Sequence, residues 1–293
     1  MAQPFVLPAS TYVGGVTLQV ADLSKSLDFY QRFLGFDARD LGVTAGARIA
    51  ALTIRGAARE LVRLSERSGV RRVPLRGRLG LYHFAILLPA RGDLGRLFRH
   101  AALSGVHAGA ADHLFSEALY LTDPDGITVE VYRDRPRQDW VMRHGELVAT
   151  SDPLDADGLI DAAGSEPWSG LPVGTTMGHV HFYVSDLDEA RRFYVAALGF
   201  ETTIRTFPGA LFVSAGGYHH HVGLNIWAAG APVATDADAR LIHWDLVVPD
   251  RGTADDLAGR VAEAGYAIDE TDGVAVARDP WGIAVRLRTP DVE

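Results

Sequence analysis

Apolar and polar positions along the chain follow a short-strand rhythm, then a helical one, and this switch recurs four times. Residues 13–36, VGGVTLQVADLSKSLDFYQRFLGF, begin with a strand-like run and turn at Asp-Leu. They continue with apolar residues three and four apart, the spacing of an amphipathic helix. Residues 177–200, MGHVHFYVSDLDEARRFYVAALGF, repeat the same frame. Each helix opens on Asp, a good N-cap, and closes on Gly, a good residue just beyond a helix end. A second pair is LYHFAILLPARGDLGRLFRHAALSGV (81–106) and LIHWDLVVPDRGTADDLAGRVAEAGY (241–266). Each of these runs through short strands to LYLTDPDGITVEVY (119–132) or AVARDPWGIAVRLR (275–288). There Asp-Pro-X-Gly signals a turn and the alternation after it signals a strand.

The pattern therefore predicts an α+β chain of four units, each a strand, a helix and several strands. Units 1 and 3 resemble each other most, as do units 2 and 4. Their expected bounds are 12–65, 80–133, 177–228 and 240–289. The stretch 133–176 is rich in Pro, Gly and acidic residues, with a short helix expected at 155–163. Its part from 141 to 176 is expected to connect two halves, 1–140 and 177–293.

Composition narrows the function. The 293 residues are 47% hydrophobic, enough for a sizeable core, and the formal net charge is −9. That charge argues against nucleic acid or an anionic membrane as a partner. The basic stretch RLSERSGVRRVPLRGR (63–78) reads as a solvated loop. There is no cysteine, which excludes disulfides, thiolate metal sites and cysteine nucleophiles and fits a reducing cytoplasm. No run of eighteen apolar residues and no signal peptide is present, so a soluble, cytoplasmic protein is expected.

The four units resemble the βαβββ modules of the vicinal oxygen chelate superfamily, which includes glyoxalases, bleomycin resistance proteins and extradiol dioxygenases. The likeness covers nearly the whole chain apart from the connector, and is strongest to the catechol 2,3-dioxygenase-like type I extradiol dioxygenases. It implies two curved mixed-sheet half-barrels. The shared Asp-Leu…Phe-Tyr…Leu-Gly-Phe frame specifies this fold well and function poorly, so the metal-site positions must decide.

Members of the superfamily place metal ligands on the first and last strands of a module. Aligning the repeats puts Gly15, His83, His179 and His243 in the first-strand slots. The last-strand slot holds Glu130 in unit 2 and Arg286 in unit 4, and in unit 3 the triplet His219-His220-His221 lies in that region. Arginine keeps its proton and cannot be a ligand. Neighbouring units thus give incomplete sets, whereas units 2 and 3 together supply His83, Glu130 and His179, two imidazoles and a carboxylate. On this reading units 1 and 4 form a metal-free half, and His243 shares a slot with His83 but lacks a carboxylate in its module.

The resemblance further implies Fe(II), with Mn(II) as the second option, and a small aromatic diol and O2 as reactants of a meta ring cleavage. His113 and Tyr120, ten residues before Glu130, match positions that bond the diol oxygen. Strand alternation would send His219 and His221 to one face, so His221 is expected as the acid/base and His219 as its neighbour. By the same rule His181 shares a face with His179 and is a pocket candidate, with His243 as another. The competing functions are a glyoxalase-like lyase or isomerase and a non-catalytic protein that binds or confers resistance to aromatic small molecules. The oligomeric state, including a homo-oligomer, stays open.

Overall fold

The repeated Asp-Leu turn works as a helix cap. Among residues 5–290, which the computed structural model describes, Asp22 accepts from the backbone N–H of Lys25, and Asp186 from those of Asp188 and Glu189. The helices they start are α1 (Leu23–Leu27) and α4 (Leu187–Arg191). Each continues as a wider π-helical segment, Asp28–Phe33 and Arg192–Ala197, where a single amphipathic helix was expected. The wider winding accompanies a buried bond that recurs in both halves. Tyr30 donates its hydroxyl to Asp123 and Tyr194 donates to Asp279, both at 3.0 Å. Those aspartates belong to the two Asp-Pro-X-Gly turns. Their other oxygen accepts from the backbone of Asp125 and Ile127, or of Trp281 and Ile283. The Phe-Tyr motif of one unit is thereby tied to the last turn of the next.

Each unit is one βαβββ module. The first comprises β1 (Tyr12–Val20), α1, β2 (Asp37–Thr44), β3 (Ala47–Thr53) and β4 (Glu60–Glu66). The second comprises β5 (Gly80–Leu87), α2 (Arg91–Leu103), β6 (Gly109–Asp112), β7 (Ser116–Thr122) and β8 (Thr128–Asp134). The connector carries a small hairpin, β9 (Met142–Arg143) and β10 (Glu146–Leu147), and helix α3 (Ala156–Ala163). The third has β11 (Thr176–Tyr183), α4, β12 (Glu201–Ile204), β13 (Ala210–Ser214) and β14 (Val222–Asn225). The fourth has β15 (Arg240–Val247), α5 (Arg251–Glu263), β16 (Ile268–Thr271), β17 (Val274–Arg278) and β18 (Ala284–Arg288).

Two eight-stranded mixed sheets result, in the vicinal oxygen chelate arrangement. One runs β16-β17-β18-β15-β1-β4-β3-β2 and the other β12-β13-β14-β11-β5-β8-β7-β6. Each sheet takes one module from either side of the connector: modules 1 and 4 share the first sheet, modules 2 and 3 the second. The seams are antiparallel pairs of first strands, β1 with β15 and β5 with β11. Alternation then decides which side chains face where. Phe84, Ile86, Val129, Val131, Val180 and Phe182 point into one continuous core. The intervening His83, Glu130, His179 and His181 point to the opposite, concave face.

Because the tyrosine–aspartate bonds are buried and span modules, Tyr30→Phe leaves the outer oxygen of Asp123 without its donor. A loss of about 1–3 kcal/mol in urea unfolding is expected, with a similar loss for Tyr194→Phe. Unaltered midpoints for both variants would show that these bonds do not hold the modules together.

Candidate metal centre

The register of the second seam sets the site. His179 on β11 lies opposite Ala85 on β5, and Ala85 is also beside Glu130 on β8. His83 is two residues along β5, on the same face as Ala85. A small residue at 85 leaves the space above it to the three larger side chains. His83 Nε2 lies 3.0 Å and His179 Nε2 3.2 Å from the same oxygen of Glu130. All three residues are buried, each 2–3% exposed, so no water shell screens them.

Burial alone would raise the Glu130 carboxyl, but His179 and His83 beside it outweigh that and hold its pKa well below the carboxylate range. Burial pushes His179 down to about 4, against the pull of Glu130. His181 and His220 are also pushed well below the usual imidazole range, first by burial and then by neighbouring histidines. At neutral pH these rings offer lone pairs around one negative charge. The Nδ1 atoms of His83 and His179 have no hydrogen-bond partner, and His83 Nε2 is near Glu130 without hydrogen-bonding alignment. Buried polar atoms are rarely left so. This donor set fits a divalent ion such as Fe(II) or Mn(II): one donor atom from each residue lies within 4.8 Å of the others, as also holds for the all-imidazole group His179, His219 and His220, which has no carboxylate.

These three side chains face a cavity of about 340 Å³. Its walls are aromatic, with Phe115, Phe207, Phe212 and Trp227, and Glu130 is the one acidic residue among those that line it. Tyr120 is opposite Glu130 on β7, and its hydroxyl lies 2.8 Å from His113 Nε2. His113 Nδ1 donates to the carbonyl of Thr150, 2.6 Å away in the connector, so in neutral His113 the Nε2 atom accepts from Tyr120. Burial first, and Glu130 second, raise the Tyr120 pKa far above its usual value and keep its proton in place. His181 also lines the cavity and accepts from Asn225 Nδ2 at 3.0 Å.

The structure places three of the candidate residues, His219, His221 and His243, outside the cavity. His221 does not line the cavity; its Nδ1 accepts from the backbone N–H of Ala215, and its ring lies near Phe200 and Tyr218. The alternation that selected it holds only within a strand, and residues 215–221 form a turn between β13 and β14, with Gly216 and Gly217 at positive φ. The turn presents His220 to the cavity, its ring 4.1 Å from that of His179. His219 lies directly behind His220. The last-strand slot of module 3 is taken by Gly223, which pairs with His181 as Glu130 pairs with Ala85.

His243, expected at most as a pocket candidate, lies outside the cavity. It lies in the other sheet, bonded to Thr17 at 2.9 Å and to Arg286 at 3.2 Å, and burial and Arg286 push it down to about 3. Asp245 faces Arg286 and Arg288 there, so two guanidinium groups occupy the space where a metal would need a carboxylate. Sequence reasoning also missed the connector, whose Ala149, Thr150 and Ser151 close one side of the cavity. It missed the aromatic wall as well, because cavity and core aromatics follow the same pattern in a sequence.

The chain is thus four βαβββ modules in two paired sheets, with two histidines and a glutamate converging in one of them. Residues 12–131 and 176–287 match the family model of the glyoxalase/bleomycin resistance protein/dioxygenase superfamily, and the chain belongs to that superfamily. It is 43% identical over 274 residues to catechol-2,3-dioxygenase of Bacillus subtilis strain 168, covering 92% of this chain and 94% of that protein. Among solved structures it resembles a putative dioxygenase from Bacillus subtilis (TM-score 0.70, 14% identity, 98% and 87% of the two chains). It also resembles glyoxalase I from Zea mays (TM-score 0.58, 16% identity, 95% and 92%), and at these identities the likeness is one of fold alone.

The geometry predicts that titrating Fe(II), under argon, or Mn(II) into the metal-free chain gives one bound ion. Glu130→Ala is expected to weaken binding more than about 100-fold, beyond the cost of losing a supporting contact. His243→Ala is expected to bind as the parent does. Calorimetry that reversed this ranking would move the metal to the other sheet.

Proposed function

We propose that the protein is an extradiol dioxygenase that opens the ring of catechol or a substituted catechol, inserting both atoms of O2, with Fe(II) or Mn(II) held by His83, Glu130 and His179. The observation that carries this reading is the convergence of two imidazole nitrogens on one carboxylate oxygen in a buried, aromatic-walled cavity. The relative at 43% identity, named a catechol-2,3-dioxygenase, supports the same chemistry. The bound metal supplies open positions for a bidentate diol and O2 and lowers the pKa of the diol.

The chain's own residues do the rest. The rings of Phe212 and Trp227 give a flat substrate apolar surface and exclude water. Tyr120, protonated and tied to His113, offers a hydroxyl beside Glu130 for a diol oxygen that carries charge. His220, uncharged at rest, takes the proton of the second diol hydroxyl and returns it when the ring opens. A glyoxalase-like reaction would call for a second metal-binding carboxylate, and Glu130 is the one acidic residue lining the cavity. The partners are then a small aromatic diol and O2, in a cytoplasmic setting. No helix among the described residues is long and apolar enough to cross a membrane.

Iron-loaded protein mixed with catechol in air is expected to give a yellow semialdehyde, followed in a spectrophotometer. His220→Gln should keep its iron and lose turnover by roughly 10²- to 10⁴-fold, the usual worth of a positioned acid/base. His221→Gln should retain turnover. Iron-loaded protein that leaves a panel of catechols intact would sink the reading, and an active His220→Gln variant would sink the assignment of the acid/base.

A further inference from the structure

We infer that Asp134, acting through His219, fixes the tautomer of His220 and so keeps a bare nitrogen on the cavity-lining ring. Asp134 ends β8, four residues beyond Glu130. One of its oxygens lies 2.9 Å from His219 Nε2, and the other accepts from the Tyr218 hydroxyl at 2.8 Å. His219 Nδ1 in turn lies 2.8 Å from His220 Nδ1. His219 is fully buried, with the Phe115 ring stacked on it at 4.6 Å, while the Asp134 side chain is 22% exposed. The row of groups runs from the protein surface to the cavity.

The direction of every bond in the row follows from its first member. An ionised carboxylate has no hydrogen to give, so His219 Nε2 carries the hydrogen. In a neutral ring the other nitrogen, His219 Nδ1, is then the acceptor. Its partner, His220 Nδ1, must donate. That leaves His220 Nε2 without a hydrogen, as the nitrogen that takes a proton. Among the described residues no other hydrogen bond to the His220 ring is present that would impose this choice. If Asp134 were replaced by a group that cannot accept, His219 could turn its tautomer round, and His220 would follow with Nε2 already protonated and unable to act as a base.

The role of the row rests on the reading of His220 as the acid/base. In that reaction a proton leaves a diol hydroxyl, the oxygen keeps the electron pair, and the proton bonds to His220 Nε2. Asp134 touches neither diol nor metal and is a positioning residue. Tyr218 and Tyr132, whose hydroxyls lie 2.6 Å apart, anchor the far oxygen of Asp134.

The tautomer can be read without any turnover. The full chain labelled with ¹⁵N-histidine, metal-free and again with Zn(II), is examined by long-range ¹H–¹⁵N correlation, with His220 assigned by the loss of its signals in His220→Gln. The parent is expected to show His220 protonated at Nδ1 and bare at Nε2. Asp134→Ala should populate the opposite tautomer, and Asp134→Glu should restore the original one. With iron, Asp134→Ala should lower kcat about 10- to 100-fold, the range typical of a supporting residue, with KM for catechol and iron content near parent values. Tyr218→Phe, which leaves the bond to His219 in place, should keep the parent tautomer. A parent His220 carrying its hydrogen on Nε2, or an unaltered tautomer in a folded Asp134→Ala variant, would overturn the inference. Absent turnover in the parent with the Nδ1–H tautomer intact would instead count against the ring-cleavage reading.

Discussion

The site depends on the register of one antiparallel seam. β5 and β11 come from modules on opposite sides of the connector, yet their pairing sets His179 across from Ala85. The parallel neighbour β8 sets Glu130 on the other side of the same alanine. A slip of one residue would turn His179 away from Glu130 and into the core, because side chains alternate between faces. The apolar residues between the site residues prevent that slip. Phe84, Val180 and Val129 are all fully buried, so moving them to the cavity would expose them and bury the charged set in the core. The convergence of His83, Glu130 and His179 is therefore held by hydrophobic burial on the reverse face.

The duplicate seam shows how separable fold and chemistry are. β1 and β15 pair in the same manner, with Thr17 opposite His243 where His181 is opposite His83. Arg286 occupies the place of Glu130 beside Asp245, and the ion pairs there leave a cavity of about 40 Å³ where the other sheet has one of about 340 Å³. Gly15 stands where His179 stands, and a Cβ at Gly15 would lie 2.9 Å from the carbonyl oxygen of Leu61. No side chain fits there without moving the backbone of β4. The two halves share one core and the matching Tyr30–Asp123 and Tyr194–Asp279 bonds although only one of them brings a carboxylate and two imidazoles together.

Much of this was legible in the sequence because repetition carries more information than local propensity. Aligned repeats located the modules and the slots of His83, Glu130 and His179 without any contact being known. The histidine triplet was misread for a physical reason. Alternation ranks neighbours only where the backbone is extended, and the two glycines that bend residues 215–221 out of β13 change which ring faces inward. The same stretch hides Asp134 from sequence reasoning. It lies 85 residues from His219, and only the pairing of modules 2 and 3 brings the two together. The part played by Thr150 was equally invisible, since it contributes a backbone carbonyl, which every residue has.

The electrostatics of the cavity explain why so many histidines gather in one place. An ionised glutamate removed from water is costly unless a cation or several donors face it. Protonating the surrounding imidazoles would supply that charge, but burial works against it, and it pushes His179 to about 4. His181 and His220 are pushed down in the same way, so charge on one ring would be opposed by the low dielectric around all of them. A divalent ion held by the three residues would resolve the conflict in a single step. Bound as proposed, it would neutralise Glu130 and take up the lone pairs of His83 and His179, leaving His220 against the Asp134 row. The cluster thus divides by what lies behind each ring: the Nδ1 atoms of His83 and His179 have no hydrogen-bond partner, whereas His220 is backed by His219 and Asp134.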